Sequence, residues 1–440
     1  MNIYKTNINK IFYIFLTIHL IVWTLIPTLS NQNLPLDTIE ALAWGSNLDW
    51  GFNKHPPASA FFVEIFYRIF GSKDWAYYFL SQIFIIFSFF IVWRFSNEFL
   101  RNKNLSLFSV LLLETIYFYN FTSPEFNVNV CQLPFWALTV YYSWKLYNKK
   151  NIDVKDCALL GVFAAFGFLS KYLFIYLLVS IDLIFFYLIF IKKDKKYDSN
   201  YIISFIVFII LLIPHIIWLI NNDYITISYG LHRTGLSEPN FIDHFKYPII
   251  FLFKQVFILI PFFILSLFLV SKPKFNFKFT DKKLLFLFAI NILPIFLMFI
   301  TSLVLGVKIR TMWMTPFYLF FGTLLVYIFQ KQIKLKKIKN FYFVFIFLFL
   351  LSPIIYFYIS VNQIDKRTDY PGKIIAQKVQ KKWDLEFDEP INVVLGNEWN
   401  AGNLSYHLKS RPAWEGDLDK NKLDSYNKFI CIDNICVGNK

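Results

Sequence analysis

Ten almost uninterrupted apolar runs set the terms for any fold of this chain. They lie at approximately 11–29, 74–94, 105–121, 128–147, 156–190, 201–220, 249–270, 284–304, 313–329 and 341–360. Most have the length at which a helix crosses the roughly 30 Å of bilayer hydrocarbon. The run 156–190 does not fit that length: as one helix it would extend about 52 Å. Lys171 stands near its middle, so it is read as two short helices meeting at Ser170–Lys171. That makes eleven spans. Composition agrees, with 57 % hydrophobic residues, 17 % charged residues and 55 Phe in 440. Soluble domains are about 45–50 % apolar and about a quarter charged.

The first run follows Lys5 and Lys10 but exceeds the usual signal-peptide core, and the SNQ after it offers no small-x-small cleavage site. It is expected to stay as the first helix. A net charge of +15 would suggest nucleic acid in a soluble protein. Here the cations sit in short clusters between apolar runs, as topology determinants do, which argues against that partner. With the N-terminus inside, the inner segments 1–10, 94–104, 145–155, 192–199, 271–283 and 330–340 hold 23 of the 44 Lys and Arg. The membrane-side outer segments hold 9 and the tail from 361 holds 12. The positive-inside rule then places the N-terminus in and the tail out.

The expected organisation is a transmembrane domain over 1–360, with a first outer loop at about 30–73, and a small α/β domain over 361–440 on the outer side. The tail alternates short polar and apolar runs, such as INVVLGN and KFICIDNICVG. Cys431 and Cys436 are close enough in sequence to bridge in an oxidising compartment. Cys131 and Cys157 lie in apolar runs and read as small core residues.

The chemistry-bearing residues gather on the outer face. Asp37 and Glu40 follow the first helix, three apart, on one face of any helix that starts there. A carboxylate at that place suits a general base for an acceptor hydroxyl, but D-T-I-E equally fits a capping box. Lys54 and His55 precede Pro56–Pro57, which suit the start of a helix carrying the i,i+4 pair Glu64 and Arg68. A basic pair before a helix start suits a phosphate, and it suits a rigid interfacial turn as well. Lys171 either snorkels to the surface or meets an anion. Glu125, in the outer turn Ser123–Pro124–Glu125, adds a further acid, and Arg310, beside Trp313, adds a cation or an interfacial anchor. Glu114 and Asp182 fall inside spans and are expected to make structural hydrogen bonds. No metal-ligand spacing, Walker loop or dinucleotide fingerprint is present in the sequence. No cofactor is required, and a divalent metal would need the fold to unite Asp37, Glu40 and His232.

Several of these motifs carry a family resemblance. LPLDTIE, DWGFNKHPP, GFLSKY and the tail stretch GNEWNAGNLSYHLKSRP resemble the bacterial family 39-type glycosyltransferases of the membrane-embedded GT-C class. These are relatives of protein O-mannosyltransferases and of the aminoarabinose transferase that modifies lipid A. The resemblance implies an all-α polytopic GT-C bundle with juxtamembrane helices in the first outer loop. It implies transfer of a hexose or pentose from a polyprenyl-phosphate-sugar donor to a lipid, glycan or protein acceptor, on the periplasmic side of the inner membrane. By the same resemblance Asp37 is the essential acid with Glu40 as its neighbour. His55, with Lys54, takes the place of the basic residue before Pro-Pro that meets the donor phosphate, where the aminoarabinose transferases have lysine. Lys171 falls on the lysine of an L-[ST]-K motif. Arg310 joins the phosphate side, and Glu125 stands near the second acid. A transporter or flippase for a lipid-linked sugar is the alternative, and it predicts midplane residues and repeat symmetry. A non-enzymatic scaffold would leave the outer-face charges unexplained.

Overall fold

The computed structural model describes residues 7–149, 152–236, 240–270, 273–275, 277–278, 280–334, 338–418, 426–432 and 434–439. Along the chain, α1 (Ile8–Ser30) leads into two short helices of the first loop, α2 (Leu36–Gly45) and α3 (Ala58–Phe70). Then come α4 (Asp74–Leu100), α5 (Lys103–Leu113), α6 (Val128–Cys131), α7 (Leu133–Asn148), α8 (Val154–Ser170), α9 (Ile175–Phe186) and α10 (Tyr201–Asn221). A further loop helix, α11 (Ile225–Thr234), precedes α12 (Asp243–Leu269), α13 (Lys282–Leu305), α14 (Phe321–Phe329) and α15 (Lys339–Asn362). The juxtamembrane helices expected in the first loop are thus α2 and α3.

Among the described residues, seven helices are long and apolar enough to cross a membrane, counting Tyr172–Ile191 as one, and a bent pair can supply an eighth. The eleven expected spans are not reproduced by that measure, because α5, α7 and α8 have only 11, 16 and 17 residues. The run 313–329 is not a straight span either. A 3₁₀ segment, Thr311–Tyr318, meets α14 at 50°. Pro316 lies in that segment, where a ring without an N–H disfavours a continuous α-helix.

The division of 156–190 does occur where the sequence places it. Lys171 is extended (φ −165°, ψ 133°) after α8 ends at Ser170. Gly167 makes this corner possible, since a Cβ there would stand 2.2 Å from the Phe174 ring. α8 and α10 then run side by side, with the Ser204 hydroxyl donating to the Cys157 carbonyl at 2.9 Å and Tyr172 meeting His215 at 2.7 Å.

Contacts also sort the loops into two ends. Lys195 donates to the Leu146 carbonyl, Lys283 to that of Phe99, and the Tyr147 hydroxyl to that of Lys282. These basic segments therefore share one end, opposite the first loop and Lys171, as the charge count requires. Inside the bundle, Glu114 accepts from His19 Nδ1 at 2.8 Å, and His19 Nε2 meets Gln82. Cys131 and Cys157 are buried as expected. Asp182 departs from expectation: it is exposed on α9, with no hydrogen bond found among the described residues. At its position the helix face turns outward.

The C-terminal part contains α16 (Gly372–Glu386), β1 (Val393–Leu395), α17 (Glu398–His407), β2 (Ala413–Trp414), β3 (Lys428–Ile432) and β4 (Ile435–Asn439). The sheet order is β2-β1-β4-β3, with β1 parallel to β2 and antiparallel to β4. A Cys431–Cys436 disulfide joins the paired strands β3 and β4. This small domain is docked by polar contacts. Arg411 reaches Glu64 at 2.8 Å and the Leu42 carbonyl at 2.6 Å, and lies 4.2 Å from the Tyr67 ring centroid. Asn33 donates to Asn403 at 2.8 Å, and Tyr406 to Asp74 at 2.6 Å.

Within the bundle α5 and α14 touch backbone to backbone, and a Cβ on Gly322 would come 1.9 Å from the Ser109 carbonyl oxygen. Gly322→Ala must push these helices apart, at a cost of about 1–3 kcal/mol. Thermal unfolding in detergent should show a lower midpoint. An unchanged midpoint would contradict the close approach.

Candidate functional site

Polar side chains from distant parts of the chain meet around one cavity of about 360 Å³. Asp37, Glu40, Lys54, His55, Lys171 and Arg310 all line it. The structure therefore brings together six of the seven residues singled out in sequence. The seventh, Glu125, stands behind Asp37, whose backbone N–H donates to Glu125 Oε1 at 3.0 Å.

Local folding explains each position. Pro35, not Asp37, is the N-cap of α2, so the capping-box reading of D-T-I-E does not hold. Asp37 sits in the first helical turn, and among the described residues its carboxylate has no hydrogen bond or ion pair. Glu40, one turn on, shares its face. Pro56 and Pro57 directly precede α3, as their fixed backbone favours. They hold Lys54 and His55 at the mouth of the cavity. The Glu64–Arg68 pair forms at 3.3 Å.

Lys171 does not snorkel to the surface. It is only 6 % exposed, its Nζ donates to Asn129 Oδ1 at 2.5 Å, and it lies 5.2 Å from the Trp313 ring centroid. Burial pushes its ammonium down to about 7, with Asp37 opposing the shift and Arg310 adding to it. His55 is lowered to about 3 by burial and by Lys171, Lys54 and Arg233. It enters the cavity as a neutral imidazole, so it offers a hydrogen bond where a charge was expected. Burial works against the Lys54 charge, yet Glu40 and Glu398 outweigh it, each oxygen 3.0 Å from Nζ. Glu40 is thereby engaged and is the less available of the two acids. Its carboxyl is raised, chiefly by burial.

Burial also raises Asp37, against the pull of Lys171, Lys54, Arg233 and Arg367. Glu125 is pushed up to about 8, first by burial and then by Asp37. Two carboxyls this close cannot both ionise cheaply. The proton rests on Glu125, because four cations favour the charge on Asp37 and one favours it on Glu125.

Sequence reasoning missed two contributors. Arg233 reaches the cavity from α11, in the stretch between α10 and α12. Glu398, from α17, anchors both Asn53 and Lys54, although its stretch GNEWNAGNLSYHLKSRP carried the resemblance. His232 does not line the cavity, and among the described residues no group of three or more His, Cys, Asp or Glu is placed to hold a metal. The lining counts four cations, Lys54, Lys171, Arg233 and Arg310, against two carboxylates. Beside them Met298, Leu305, Val307 and Ile309 make an apolar flank. The site suits an anion attached to a hydrocarbon chain.

Comparison with known proteins points to one class. Residues 54–218 match the family described as dolichyl-phosphate-mannose-protein mannosyltransferase. The chain is similar to the crystal structure of ArnT from Cupriavidus metallidurans bound to undecaprenyl phosphate. The TM-score is 0.63 at 10 % identity, over 94 % of this chain and 87 % of that one. No curated protein matches the chain in sequence.

The lowered Lys171 has a measurable consequence. A bound phosphate raises the lysine again, so the bound state holds its proton to higher pH than the free state. Affinity for a dialkyl phosphate, which keeps a single charge over this range, should be full below about pH 7 and fall as pH rises through it. Lys171→Arg, which keeps its charge, should remove the decline. A wild-type affinity that is flat from pH 6 to 9 would refute the assignment.

Proposed function

We propose that the protein is a glycosyltransferase that moves a sugar from a polyprenyl-phosphate donor to an acceptor hydroxyl. The observation that carries this reading is the unpaired Asp37 carboxylate facing a surplus of cations in a single cavity with an apolar flank. The family match over 54–218 and the likeness to a structure bound to undecaprenyl phosphate support it.

The chemistry follows from the charges. The acceptor oxygen attacks C1 of the sugar and gives up its proton to Asp37 as the new bond forms. The bond between C1 and the phosphate oxygen breaks, and its electron pair leaves on the polyprenyl phosphate. Lys171, Arg310 and Arg233 are fixed cations beside that developing charge, the placement that lowers a barrier most in a water-poor site. His55 donates a hydrogen bond, and Lys54, held between Glu40 and Glu398, completes the rim. The raised carboxyl of Asp37 makes it a better proton acceptor near neutral pH than an ordinary aspartate. Glu125, protonated, keeps a second negative charge away from Asp37. Donor energy comes from the phosphodiester, so no nucleotide is needed.

The basic loops identify the cytoplasmic end, which puts the N-terminus in the cytoplasm of a bacterial inner membrane. The cavity and the domain over 361–440 then face the periplasm, in keeping with the Cys431–Cys436 disulfide. The acceptor is a lipid, a surface glycan or a protein. The flippase alternative gains no support, since the cations and acids sit at one end of the bundle.

Asp37→Asn changes one atom and leaves the shape. In membranes supplied with radiolabelled polyprenyl-phosphate sugar, transfer should fall on the order of 10²- to 10⁴-fold. Undiminished transfer by a folded variant would overturn the general-base role.

A further inference from the structure

Cations are scarce on the cavity side of the bundle: outside the tail, the segments there contain only nine. Four of them line the large cavity. Arg68 pairs with Glu64, and Lys73 precedes α4. The remaining three, Lys246, Lys254 and Lys308, surround a second concavity of about 260 Å³ with Tyr247, Ile250 and Phe251. All three lysines are exposed, and among the described residues none makes an ion pair. Asp243, the acid one turn before Lys246, is turned inward and accepts from the Asn240 N–H at 3.1 Å. Like charges gathered without an acid raise the local positive potential and attract an anion.

We propose that Lys246, Lys254 and Lys308 form a head-group site for a phosphate-bearing membrane lipid, separate from the large cavity. The apolar surroundings favour a lipid over a free anion. Beside Lys254, α12 presents Phe253 and Phe257 outward, 63 % and 68 % exposed, with Ile249 and Val256 near them. A phosphate among the lysine heads would lay its acyl chains along that face. Lysine suits the task, being a flexible, strongly hydrated point charge on an apolar stem. The two cavities are neighbours. Ile309 lines both, Lys308 turns to one and Arg310 to the other. A lipid held here therefore bears on the segment that carries Arg310.

The test uses the full chain, purified in a neutral detergent. It is titrated with dioctanoyl phosphatidylglycerol, with dioctanoyl phosphatidylcholine and with inorganic phosphate, followed by intrinsic tryptophan fluorescence. Three forms are compared with wild type. One carries Lys246→Gln, Lys254→Gln and Lys308→Gln, a second carries arginine at the same positions, and a control carries Lys192→Gln, Lys193→Gln and Lys196→Gln at the other end. The anionic lipid should bind wild type with saturation. The first form should bind about a hundredfold more weakly at low salt, from the attraction each lysine contributes. The arginine form and the control should match wild type. Equal weakening in the control would mean bulk charge alone and would overturn the site. Inorganic phosphate binding as tightly as the lipid would overturn the lipid assignment. Equal affinity for phosphatidylcholine would overturn the role of an anionic head group. The lysines are exposed, so the glutamine form should unfold at the wild-type temperature, which separates lost binding from lost fold.

Discussion

A bilayer tolerates a charge only where it finds a partner, water or a ligand, and that constraint governs where this chain can place its chemistry. Lys171 shows how it works. The lysine interrupts a 35-residue apolar stretch, forces the helix to end, and is carried to the cavity by the corner that results. There it rests on Asn129 and beside Trp313 without a carboxylate within ion-pairing reach among the described residues. Its burial weakens the charge, and an incoming phosphate would restore it.

The tail is part of the same machinery. Lys54 is held by Glu40 from α2 and also by Glu398, which reaches it from a helix 344 residues away. Glu398 holds Lys54 with one oxygen and Asn53 with the other, fixing the loop that leads into Pro56–Pro57. Arg411 pins the other side, bridging Glu64, the end of α2 and the Tyr67 ring. α2, which carries Asp37 and Glu40, is thus clamped between the bundle and α17. Gly402 allows that approach, because a Cβ there would come 3.0 Å from Ala43 Cβ and 3.1 Å from the Ile39 carbonyl oxygen. The small domain lines no part of the cavity itself; it acts by holding the loop and the helix that do.

What the sequence made legible was local or governed by the membrane. The break at Lys171, the helix start after Pro57 and the grouping of basic loops each follow from a few adjacent residues or from hydrocarbon thickness. So does the shared face of Asp37 and Glu40, although their place in the first turn, after a Pro35 cap, was read less well. The bend in 311–329 was missed because hydropathy reports apolar length and not direction. Arg233 and Glu398 were missed for a different reason. Their roles depend on contacts across hundreds of residues, and no short-range pattern encodes a tertiary salt bridge. The count of eleven spans is not reproduced by helix length, because packed interior helices such as α5 are shorter than a bilayer crossing.

The Asp37 carboxyl in the cavity lining and the Glu125 carboxyl behind it show how such a site sets a proton without a histidine. Asp37 and Glu125 are linked through one backbone hydrogen bond and share one unfavourable environment. Glu125 lies in a turn where Arg367 and the Asp37 N–H alone favour its charge, whereas Asp37 looks across the cavity at Lys171, Lys54 and Arg233. The asymmetry assigns the proton to Glu125 and the charge to Asp37. When a phosphate enters and absorbs the field of Lys171 and Arg233, Asp37 loses part of its stabilisation and its proton affinity rises. Donor binding would then sharpen the base that the acceptor meets.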